Sequence, residues 1–406
     1  MKRYEIFRGL LVALALGLIA ITAQAAPIVV DPAATPCINP SVHFTTIQDA
    51  VNAAPSGAFI QVCPATYPEQ VEITKPLTLK GVNTLGVAVV ASPPGGLIVP
   101  PGGFTSTAPQ VFVHDTAGPV TITGITVDGS NNQITPCTLL IEGVYFKNAS
   151  GSIKNVVTRN QFVGTLGACF GTGYGIRALA DVSASFVTIQ NNSVRSYDWV
   201  GISIERVLTT ASVLNNSIVG PGSIPINANG IFVGAGAAVT VSGNSAINNS
   251  SGNPGVFVYG SHGATISGNI LGNNTFGIYV EPDNSSNDSD SATITKNNVS
   301  GSGADGITVC SNNNLVQSNV VAASGTTFGG SGIVLPNFGS YCSTNNTAVT
   351  KNLVNEACVG VLFDPSEVGN TISSNAIYNA MLPTGTACPA SGPKSGRPLV
   401  TAATRN

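Results

Sequence analysis

The sequence ATISGNILGNNTFGIYV, residues 264–280, contains both halves of a phrase that repeats through much of the chain. The first half reads apolar residue, two variable residues, asparagine, one variable residue, apolar residue. The second half reads glycine, apolar residue, any residue, apolar residue. The halves alternate between residues 143 and 377 at a mean period of about 27 residues, which is typical of a solenoid, a propeller or another repeat array.

The positions of the asparagine and the glycine predict how the chain coils. The nine asparagines are Asn160, Asn192, Asn216, Asn244, Asn269, Asn297, Asn319, Asn352 and Asn375. The nine glycines are Gly143, Gly175, Gly201, Gly230, Gly255, Gly277, Gly306, Gly332 and Gly360. Each half is too short for a helix and alternates apolar with variable residues, so we expect two short strands per repeat. Successive coils would then stack about 4.8 Å apart as a parallel β-helix.

The asparagine suits a corner of such a coil. Asparagine tolerates a left-handed backbone, and stacked asparagine amides can hydrogen-bond from one coil to the next. A leucine-rich repeat shares the asparagine and a similar period. The chain has no Leu-x-x-Leu-x-Leu framework and no helical half in its repeat, so the pattern favours the β-helix.

These repeats, together with FTTIQDAVNAAPSGAFIQVCPATYPEQVEITKPLTLKGVN at residues 44–83, resemble the right-handed parallel β-helix proteins of the pectin-lyase-like superfamily. The resemblance implies an all-β, right-handed parallel β-helix (solenoid) of about twelve coils with a short N-terminal capping helix, which we place at residues 45–54. It implies little about activity, because that fold hosts lyases, hydrolases, esterases, epimerases and non-catalytic proteins.

The N-terminus reads as a targeting segment. Lys2, Arg3 and Arg8 precede an apolar run, and Ala23-Gln24-Ala25 offers a small-residue cleavage site. We expect a signal peptide over 1–25, an N-terminal segment with the capping helix over 26–57, the β-helix over 58–382 and a C-terminal tail over 383–406. The protein is therefore expected to be exported, to the periplasm or the extracellular space, with no membrane span after signal removal.

The composition restricts the class of partner. Only 9% of residues are charged and the net charge is −3, whereas a sequence-independent nucleic-acid binder needs a basic surface. We therefore expect no nucleic-acid partner. A surface of serine, threonine, asparagine and glycine suits a polysaccharide or another glycan, although any β-solenoid would carry it. We make no prediction of oligomeric state.

The eight cysteines are an even number, as expected for disulfides in an oxidising compartment. Cys137 and Cys169 each lie six residues before a repeat glycine, so they occupy one column in adjacent coils. The predicted bridges are Cys37–Cys63, Cys137–Cys169, Cys310–Cys342 and Cys358–Cys388. A zinc site is the alternative, but no Cys-x-x-Cys spacing supports it.

An aromatic column is the main candidate for ligand binding. Two residues after each glycine the side chain should point outward, which places Phe232, Phe257 and Tyr279 on three successive coils. Tyr259 would lie beside them, with Glu281 flanking. We call Phe232, Phe257, Tyr259 and Tyr279 the aromatic face. Sugar rings pack on aromatic rings, so a glycan could bind here. Alternatively, an insertion loop covers the face, the rings only stabilise the sheet, or the face is a subunit interface.

Catalytic residues are harder to identify. Asp198 could approach Arg177 or Glu205 on neighbouring coils, giving the base and cation with which a lyase or epimerase abstracts a proton beside a uronate. A surface ion pair is the alternative. Hydrolysis of a glycosidic bond needs two carboxylates about 5–10 Å apart. Glu205 and Glu281 would be three coils, about 14 Å, apart.

Catalytic residues cannot be carried over from the superfamily. The paired-Asp and Gly-His-Gly signature of polygalacturonases, the Gly-x-Asp-Phe-x-Phe-Gly stretch of pectin methylesterases and the Asp-Pro-His-Asp motif of alginate epimerases are all absent from the sequence. If the protein is an enzyme, lyase or epimerase chemistry fits better than hydrolysis.

The loop EPDNSSNDSDS, residues 281–291, carries Asp283, Asp288 and Asp290. Clustered oxygen ligands suit calcium, and a solvated polar insertion is the alternative. Taken together, the sequence predicts an exported β-helix protein that engages polysaccharide on an outward sheet face, with or without lyase-like or epimerase-like activity. The alternative function is a non-catalytic structural or adhesion solenoid of the periplasm or cell surface.

Overall fold

The computed structural model describes residues 28–388, apart from some short segments. Those segments are 34–36, 39–41, 84–85, 102–105, 136, 138, 170, 223, 225–226, 250–252, 285–286, 323 and 325–329. The predicted signal peptide and residues 389–406 of the predicted tail lie outside the described residues.

The described chain winds into three parallel sheets, which confirms the predicted all-β parallel β-helix. Sheet 1 contains β1 (Ile28–Val30), β2 (Val42–Phe44), β3 (Ala58–Val62), β6 (Leu77–Gly81), β9 (Val120–Thr123), β12 (Gly151–Lys154), β15 (Ser185–Gln190), β18 (Thr209–Leu214), β21 (Ala238–Ser242), β24 (Thr265–Ser267), β27 (Thr293–Thr295), β30 (Leu315–Gln317), β33 (Ala348–Thr350) and β36 (Thr371–Ser373).

The other two sheets take the remaining strands of each coil. Sheet 2 contains β4 (Ala65–Pro68), β7 (Ala88–Ala91), β10 (Ile125–Asp128), β13 (Val157–Gln161), β16 (Ser193–Tyr197), β19 (Ser217–Val219), β22 (Ser245–Ile247), β25 (Ile270–Gly272), β28 (Asn298–Ser300), β31 (Val320–Ala322), β34 (Leu353–Asn355) and β37 (Ala376–Tyr378). Sheet 3 contains β5 (Val71–Ile73), β8 (Thr107–His114), β11 (Leu140–Lys147), β14 (Gly173–Leu179), β17 (Val200–Glu205), β20 (Asn229–Gly234), β23 (Pro254–Tyr259), β26 (Phe276–Glu281), β29 (Ile307–Val309), β32 (Ile333–Leu335), β35 (Val359–Phe363) and β38 (Leu382–Gly385).

The predicted helix forms as α1 (Ile47–Ala53). The Thr46 side chain accepts a hydrogen bond from the Asp49 backbone N–H, which caps the helix N-terminus. Ile47, Ala50 and Val51 are buried against the first strands, so α1 covers apolar surface at the end of the solenoid. The described residues include no helix long and apolar enough to cross a membrane.

Each regular coil has three strands, where the sequence predicted two. The asparagine half of the repeat is divided by its corner, so that β24 belongs to sheet 1 and β25 to sheet 2. The left-handed residue at this corner is the one before the asparagine, for example Gly268 with φ of 65° and Lys296 with φ of 57°. The expectation that the asparagine itself adopts the left-handed conformation is therefore wrong from Asn192 to Asn375 and holds only for Asn160, whose φ is 59°.

The repeat asparagines form a buried ladder, which we define as Asn192, Asn216, Asn244, Asn269, Asn297, Asn319, Asn352 and Asn375. The side-chain oxygen of each asparagine after Asn192 accepts hydrogen bonds from both the backbone N–H and the side-chain NH₂ of the preceding member, at 2.9–3.0 Å. Each side-chain NH₂ also donates to the backbone carbonyl of a residue in the preceding coil, as Asn269 does to Val241. Each coil from Asn192 to Asn375 is thereby held to the next at one fixed corner.

Asn160 is not a member of this ladder, and its assignment from the sequence is wrong. Val156 occupies the corresponding position in its coil, and the Val156 backbone N–H donates to Asn192 Oδ1 at 2.9 Å. Asn160 lies at the next corner, where its side chain donates to Asp128 Oδ1 at 2.8 Å. The repeat phrase fits both positions, because apolar residues also flank Asn160 at the same spacing.

All four predicted disulfides are present. The Cα–Cα distances are 5.8 Å for Cys37–Cys63, 5.2 Å for Cys137–Cys169, 5.6 Å for Cys310–Cys342 and 5.7 Å for Cys358–Cys388. Each value lies within the range that a disulfide requires. The first bridge ties the N-terminal segment to the end of β3, and the last ties the segment after β38 to the start of β35.

Candidate functional site

The outer face of sheet 3 brings the predicted site residues into columns. Phe232 pairs with Phe257, and Phe257 pairs with Tyr279, in one register. The same column runs back through Ser203 to Arg177, and the neighbouring column carries Tyr259 opposite Glu281. Side chains two residues apart along a strand share a face, so these two columns form a single outward surface.

The N-terminal part of this surface is covered. Leu97, Ile134 and Val163, from three loops, pack with Ile141 of β11 into a small apolar cluster outside the main core. The Cys137–Cys169 disulfide joins two of these loops. Arg177 is 7% exposed although it lies in an outward column, with Glu142, Glu205 and the Tyr145 and Tyr174 rings around its guanidinium group. The sequence left open whether insertion loops pack over the outward columns. At this end of sheet 3 such loops do pack against the sheet.

Arg177 is the centre of a buried ion network. Its Nε and Nη2 atoms donate to the two Glu205 carboxylate oxygens at 2.9 and 3.0 Å, and Nη1 donates to Glu142 Oε1 at 3.1 Å. The guanidinium carbon lies 4.7 Å from the Tyr174 ring centroid and 5.3 Å from that of Tyr145. We call Glu142, Arg177 and Glu205 the buried triad. It is enclosed rather than offered to a polymer, and it is not the surface ion pair considered from the sequence.

The sequence did not predict a role for Glu142, because this residue lies outside the columns that follow each repeat glycine. It directly precedes Gly143 and pairs in register with Tyr174, in a third outward column. Its side chain has no solvent exposure, and its Oε2 atom lacks a hydrogen-bond partner among the described residues. A lone acidic residue within the apolar stretch LLIEGVYF was the available signal.

Asp198 does not join Arg177 and Glu205. Its carboxylate accepts hydrogen bonds from the Thr172 backbone N–H at 3.1 Å and from Thr172 Oγ1 at 3.0 Å. Asp198 is fully buried, and its partner lies where the loop after β13 returns to sheet 3. This contact fixes the end of the loop between β13 and β14. The structure thus brings together two of the three predicted catalytic residues.

Burial changes the protonation of two acidic side chains, Glu142 and Asp198. Burial raises the pKa of Glu142 to about 8, with the Arg177 charge opposing the shift. Burial also raises the pKa of Asp198 to about 6, against its hydrogen bonds from Thr172. At neutral pH Glu142 is therefore largely protonated.

These shifts predict a pH-dependent stability. A carboxyl group whose pKa is higher in the folded state stabilises the fold fully below its ordinary pKa, and this contribution is lost as pH rises through the folded-state pKa. The Glu142 contribution should therefore disappear between about pH 4.5 and pH 8.

We expect Glu142→Gln to flatten the decline in the free energy of unfolding over this range, as measured by urea denaturation at pH 5 to 9. Glu356→Gln, at an outer turn, is the matched control. Equal slopes for wild type and Glu142→Gln would contradict the assignment.

The aromatic face differs from the covered end, because its side chains are half-buried. Ring centroids lie 5.6 Å apart for Phe232 and Phe257, 5.7 Å for Phe257 and Tyr279, and 5.5 Å for Phe257 and Tyr259. Phe276, which the sequence analysis missed, lies 5.2 Å from Tyr279 in the column before the glycines. Five rings thus form one continuous, partly exposed apolar strip.

Glu281 lies at the C-terminal end of the aromatic face. Burial raises its pKa, against hydrogen bonds from Tyr279 and Tyr341. Tyr341 belongs to the loop after β32, so this loop and the loop after β26 meet beside the aromatic face. Tyr259 also contacts the second of these loops, accepting a hydrogen bond from the Asn284 backbone N–H at 3.1 Å.

The three aspartates proposed for calcium have separate local roles. Asp283 accepts hydrogen bonds from the Asn287 backbone and side chain at 3.0 and 2.7 Å. Asp288 pairs with His262 at 2.9 Å, and Asp290 accepts from the Asn312 backbone N–H at 2.6 Å. Within the described ranges, the three carboxylates do not form a cluster of close ligand atoms. Calcium binding stays a prediction.

The three parallel sheets, with side chains stacked in columns, define a right-handed parallel β-helix protein of pectin-lyase-like fold. The chain also matches the family described as periplasmic copper-binding protein (NosD), over residues 111–287 and 222–338. These overlapping stretches cover more than half of the chain, and the protein belongs to this family. Membership of a periplasmic family and the four disulfides are consistent with an exported protein.

Three solved structures illustrate the fold. The A-module of the mannuronan C-5 epimerase AlgE4 from Azotobacter vinelandii matches with a TM-score of 0.57 and 15% identity, over 86% of this chain and 94% of its own. The Dettilon tailspike protein matches at 0.54 and 16%, over 83% of this chain and 65% of its own. A hyperthermoactive exopolygalacturonase from Thermotoga maritima matches at 0.52 and 11%, over 83% and 88%. At these identities the likeness concerns the fold alone. A search of curated proteins gave no match.

The family description names copper, which can be tested against the side chains present. Copper(I) prefers sulfur ligands and copper(II) prefers imidazole. All eight cysteines are in disulfides. The tightest group of ligand atoms in the described residues is Asp31 with Cys37 and Cys63, and the two sulfurs are bonded to each other.

The histidines are dispersed rather than grouped. His114 lies between Glu72 at 2.8 Å and Asp115 at 3.0 Å, and His43 Nε2 lies 2.8 Å from the Asp31 carbonyl oxygen. His262 faces Asp288 on the surface. The described residues therefore do not fit a copper centre, and we assign no role to copper in this chain.

Proposed function

We propose that this exported protein binds a polysaccharide along the aromatic face of sheet 3. The observation that carries the proposal is the alignment of Phe232, Phe257 and Tyr279 on three successive coils with their rings half-exposed. A rigid row of rings over about 10 Å matches an extended chain of sugars, whose C–H faces pack on aromatic surfaces. The neighbouring loops supply hydroxyl and amide groups for the sugar hydroxyls.

The proposal concerns binding and assigns no chemistry to the buried triad. Arg177 and Glu142 are enclosed, and a catalytic group must come within hydrogen-bond distance of the bond that reacts. Asp198 is equally enclosed and is bonded to Thr172. We therefore interpret these three residues as the support of the loops that flank the aromatic face.

The test is a glycan-array screen followed by titration of the best oligosaccharide into wild type and the double variant Phe257→Ala/Tyr279→Ala. We expect the variant to lose at least about fivefold in affinity, because two stacking rings contribute about 0.5–1.5 kcal/mol each and 1.4 kcal/mol corresponds to a factor of ten. Thermal denaturation of both proteins will show whether the variant is folded at the titration temperature.

Phe186→Ala is the matched control. Phe186 is 65% exposed on sheet 1, so its replacement also removes an exposed aromatic ring, but from a different face. We expect unchanged affinity. If wild type binds no neutral or charged glycan, the structural or adhesion role becomes the better interpretation. If Phe186→Ala weakens binding as much as the double variant, the aromatic face is not the binding surface.

A further inference from the structure

A cavity of about 210 Å³ lies at the C-terminal end of the aromatic face. Its walls come from residues 288–290 on one side and residues 339–343 on the other, with Asn312 between them. The Cys310–Cys342 disulfide also lines the cavity and fixes the second loop to the end of β29. The cavity is therefore held between cross-linked segments. Its lining is mixed: Asp288, Asp290 and Asn312 are polar, whereas Pro282, the disulfide and the Tyr341 ring are apolar.

The cavity adjoins the aromatic face through Tyr341. The Tyr341 hydroxyl donates a hydrogen bond to the Pro282 carbonyl oxygen at 3.4 Å, and Tyr341 also hydrogen-bonds to Glu281. Glu281 is in turn bonded to Tyr279. A chain that runs along Phe257 and Tyr279 would thus bring its end to the cavity, whose volume suits about one sugar ring.

Acidic side chains predominate around the cavity. Residues 207–388 contain eight acidic residues and only two basic ones, Lys296 and Lys351. Both lysines follow strands of sheet 1, at the corner before the asparagine ladder, rather than on sheet 3. Asp288 and Asp290 line the cavity itself. The His262 hydrogen bond lowers the pKa of Asp288, so this carboxylate stays ionised.

The end of the aromatic face farthest from the cavity carries a basic residue. Arg206 is exposed and directly follows β17, one coil before Phe232. The acidic character therefore increases along the face from Arg206 towards the cavity. A ligand with carboxylates along its whole length would have to place one of them against Asp288 and Asp290.

We infer that the cavity binds the end unit of the glycan, and that this unit is an uncharged or amino sugar and not a uronate. This inference rests on the proposed function. Like charges placed together without an intervening cation disfavour an acidic sugar, whereas hydroxyl and amino groups can donate hydrogen bonds to the two aspartates. The electrostatics of the cavity thus select against polymers of uronic acids.

The test is calorimetric titration with matched oligosaccharides of equal length: neutral cello-oligosaccharides and N-acetylated chito-oligosaccharides, cationic chitosan oligosaccharides, and anionic oligogalacturonates. We expect binding by at least one neutral or cationic series and at least tenfold weaker binding of the uronates. Binding of uronates as tight as that of the other series would overturn the inference. If that uronate binding were lost in Phe257→Ala/Tyr279→Ala, the proposed function would stand while this inference failed.

A charge-removing variant isolates the cavity. Asp288→Asn/Asp290→Asn keeps acceptor oxygens for His262 and the Asn312 backbone, so the loops should remain folded. We expect its affinity for oligogalacturonate to rise at least threefold at low salt and its affinity for chitosan oligosaccharide to fall. Glu356→Gln removes the same kind of charge from a turn after sheet 2 and should change neither. Unchanged affinities in the double variant would overturn the role of the cavity.

Discussion

Replacing Arg177 with methionine is expected to lower the free energy of unfolding by about 3–5 kcal/mol, the cost of breaking a buried ion pair by removing one partner. Methionine fills much of the same volume but cannot donate the three hydrogen bonds to Glu142 and Glu205. The Glu205 carboxylate, 16% exposed, would then keep only the Ser203 hydroxyl as a donor. Urea denaturation at pH 7 measures the change.

Arg159→Met is the matched control for this prediction. Arg159 pairs with Asp128 at 2.8 Å, but its side chain is 35% exposed. Asp128 is only 12% exposed, but it keeps hydrogen bonds from the Asn160 side chain and the Ser130 backbone N–H, so the expected cost is about 1 kcal/mol or less. The double variant Arg177→Met/Glu205→Gln should recover part of the lost stability, because it no longer leaves a half-buried carboxylate unpaired. A cost for Arg177→Met no larger than that for Arg159→Met would show that the triad does not hold the covered face.

Replacing Asn269 with alanine is expected to cost about 3–5 kcal/mol. The Asn269 side chain donates to Val241 O and Asn297 Oδ1, and it accepts from the backbone and side chain of Asn244. Each buried hydrogen bond contributes about 1 kcal/mol, and a buried group left without a partner costs about 1–3 kcal/mol. The loss occurs in the middle of the ladder, where no solvent can replace the amide.

Asn273→Gly provides the comparison within the same coil. Asn273 is exposed and has a φ of 54° that glycine tolerates. Its side chain donates a long hydrogen bond of 3.4 Å to Asn248, and its backbone bond to Ser300 would remain in the variant. The expected change in the free energy of unfolding is within about 1 kcal/mol. Asn269→Asp should be at least as harmful as Asn269→Ala, since a carboxylate cannot donate and would face Asn297 Oδ1. Equal stabilities for Asn269→Ala and Asn273→Gly would contradict the role of the ladder.

The two experiments separate two structural roles. The ladder holds coil to coil through the interior, whereas the triad acts on the outside of sheet 3, under the loops. If Arg177→Met also loosens the loop between β13 and β14, we expect faster hydrogen exchange at Thr172 and Gly173. These two residues lie next to Asp198 at the end of that loop. Hydrogen exchange reports such local opening separately from global unfolding.

The sequence predicted the columns well because a β-helix converts position in the repeat into position in space. Once each coil lies one β-spacing from the next, residues with the same offset from the repeat glycine become neighbours. That argument placed Phe257 beside Tyr279 and Cys137 beside Cys169 without any knowledge of the loops. It failed for Asn160, where the same local phrase fits two different corners of the coil.

The solvent exposure of the outward side chains could not be predicted from their position in the repeat. Tyr145 and Phe257 stand in one outward column, yet Tyr145 is fully buried and Phe257 is half-exposed. Tyr145 lies between the Phe112 ring and the Arg177 guanidinium, each at 5.3 Å, whereas Phe257 is flanked by other half-exposed rings. The repeat contains no information about which outward side chains bury one another, and Glu142 gained its role only because its surroundings exclude water.

The sequence by itself therefore determined the winding, the register, the disulfides and the rows of outward side chains, because these follow from a periodic pattern and one fixed strand spacing. Only the tertiary structure decided which part of the outward surface is covered, which charges are buried together, and where a cavity adjoins the aromatic face. The physical reason is that loop positions depend on contacts between residues far apart in the chain, and no local periodicity specifies those contacts.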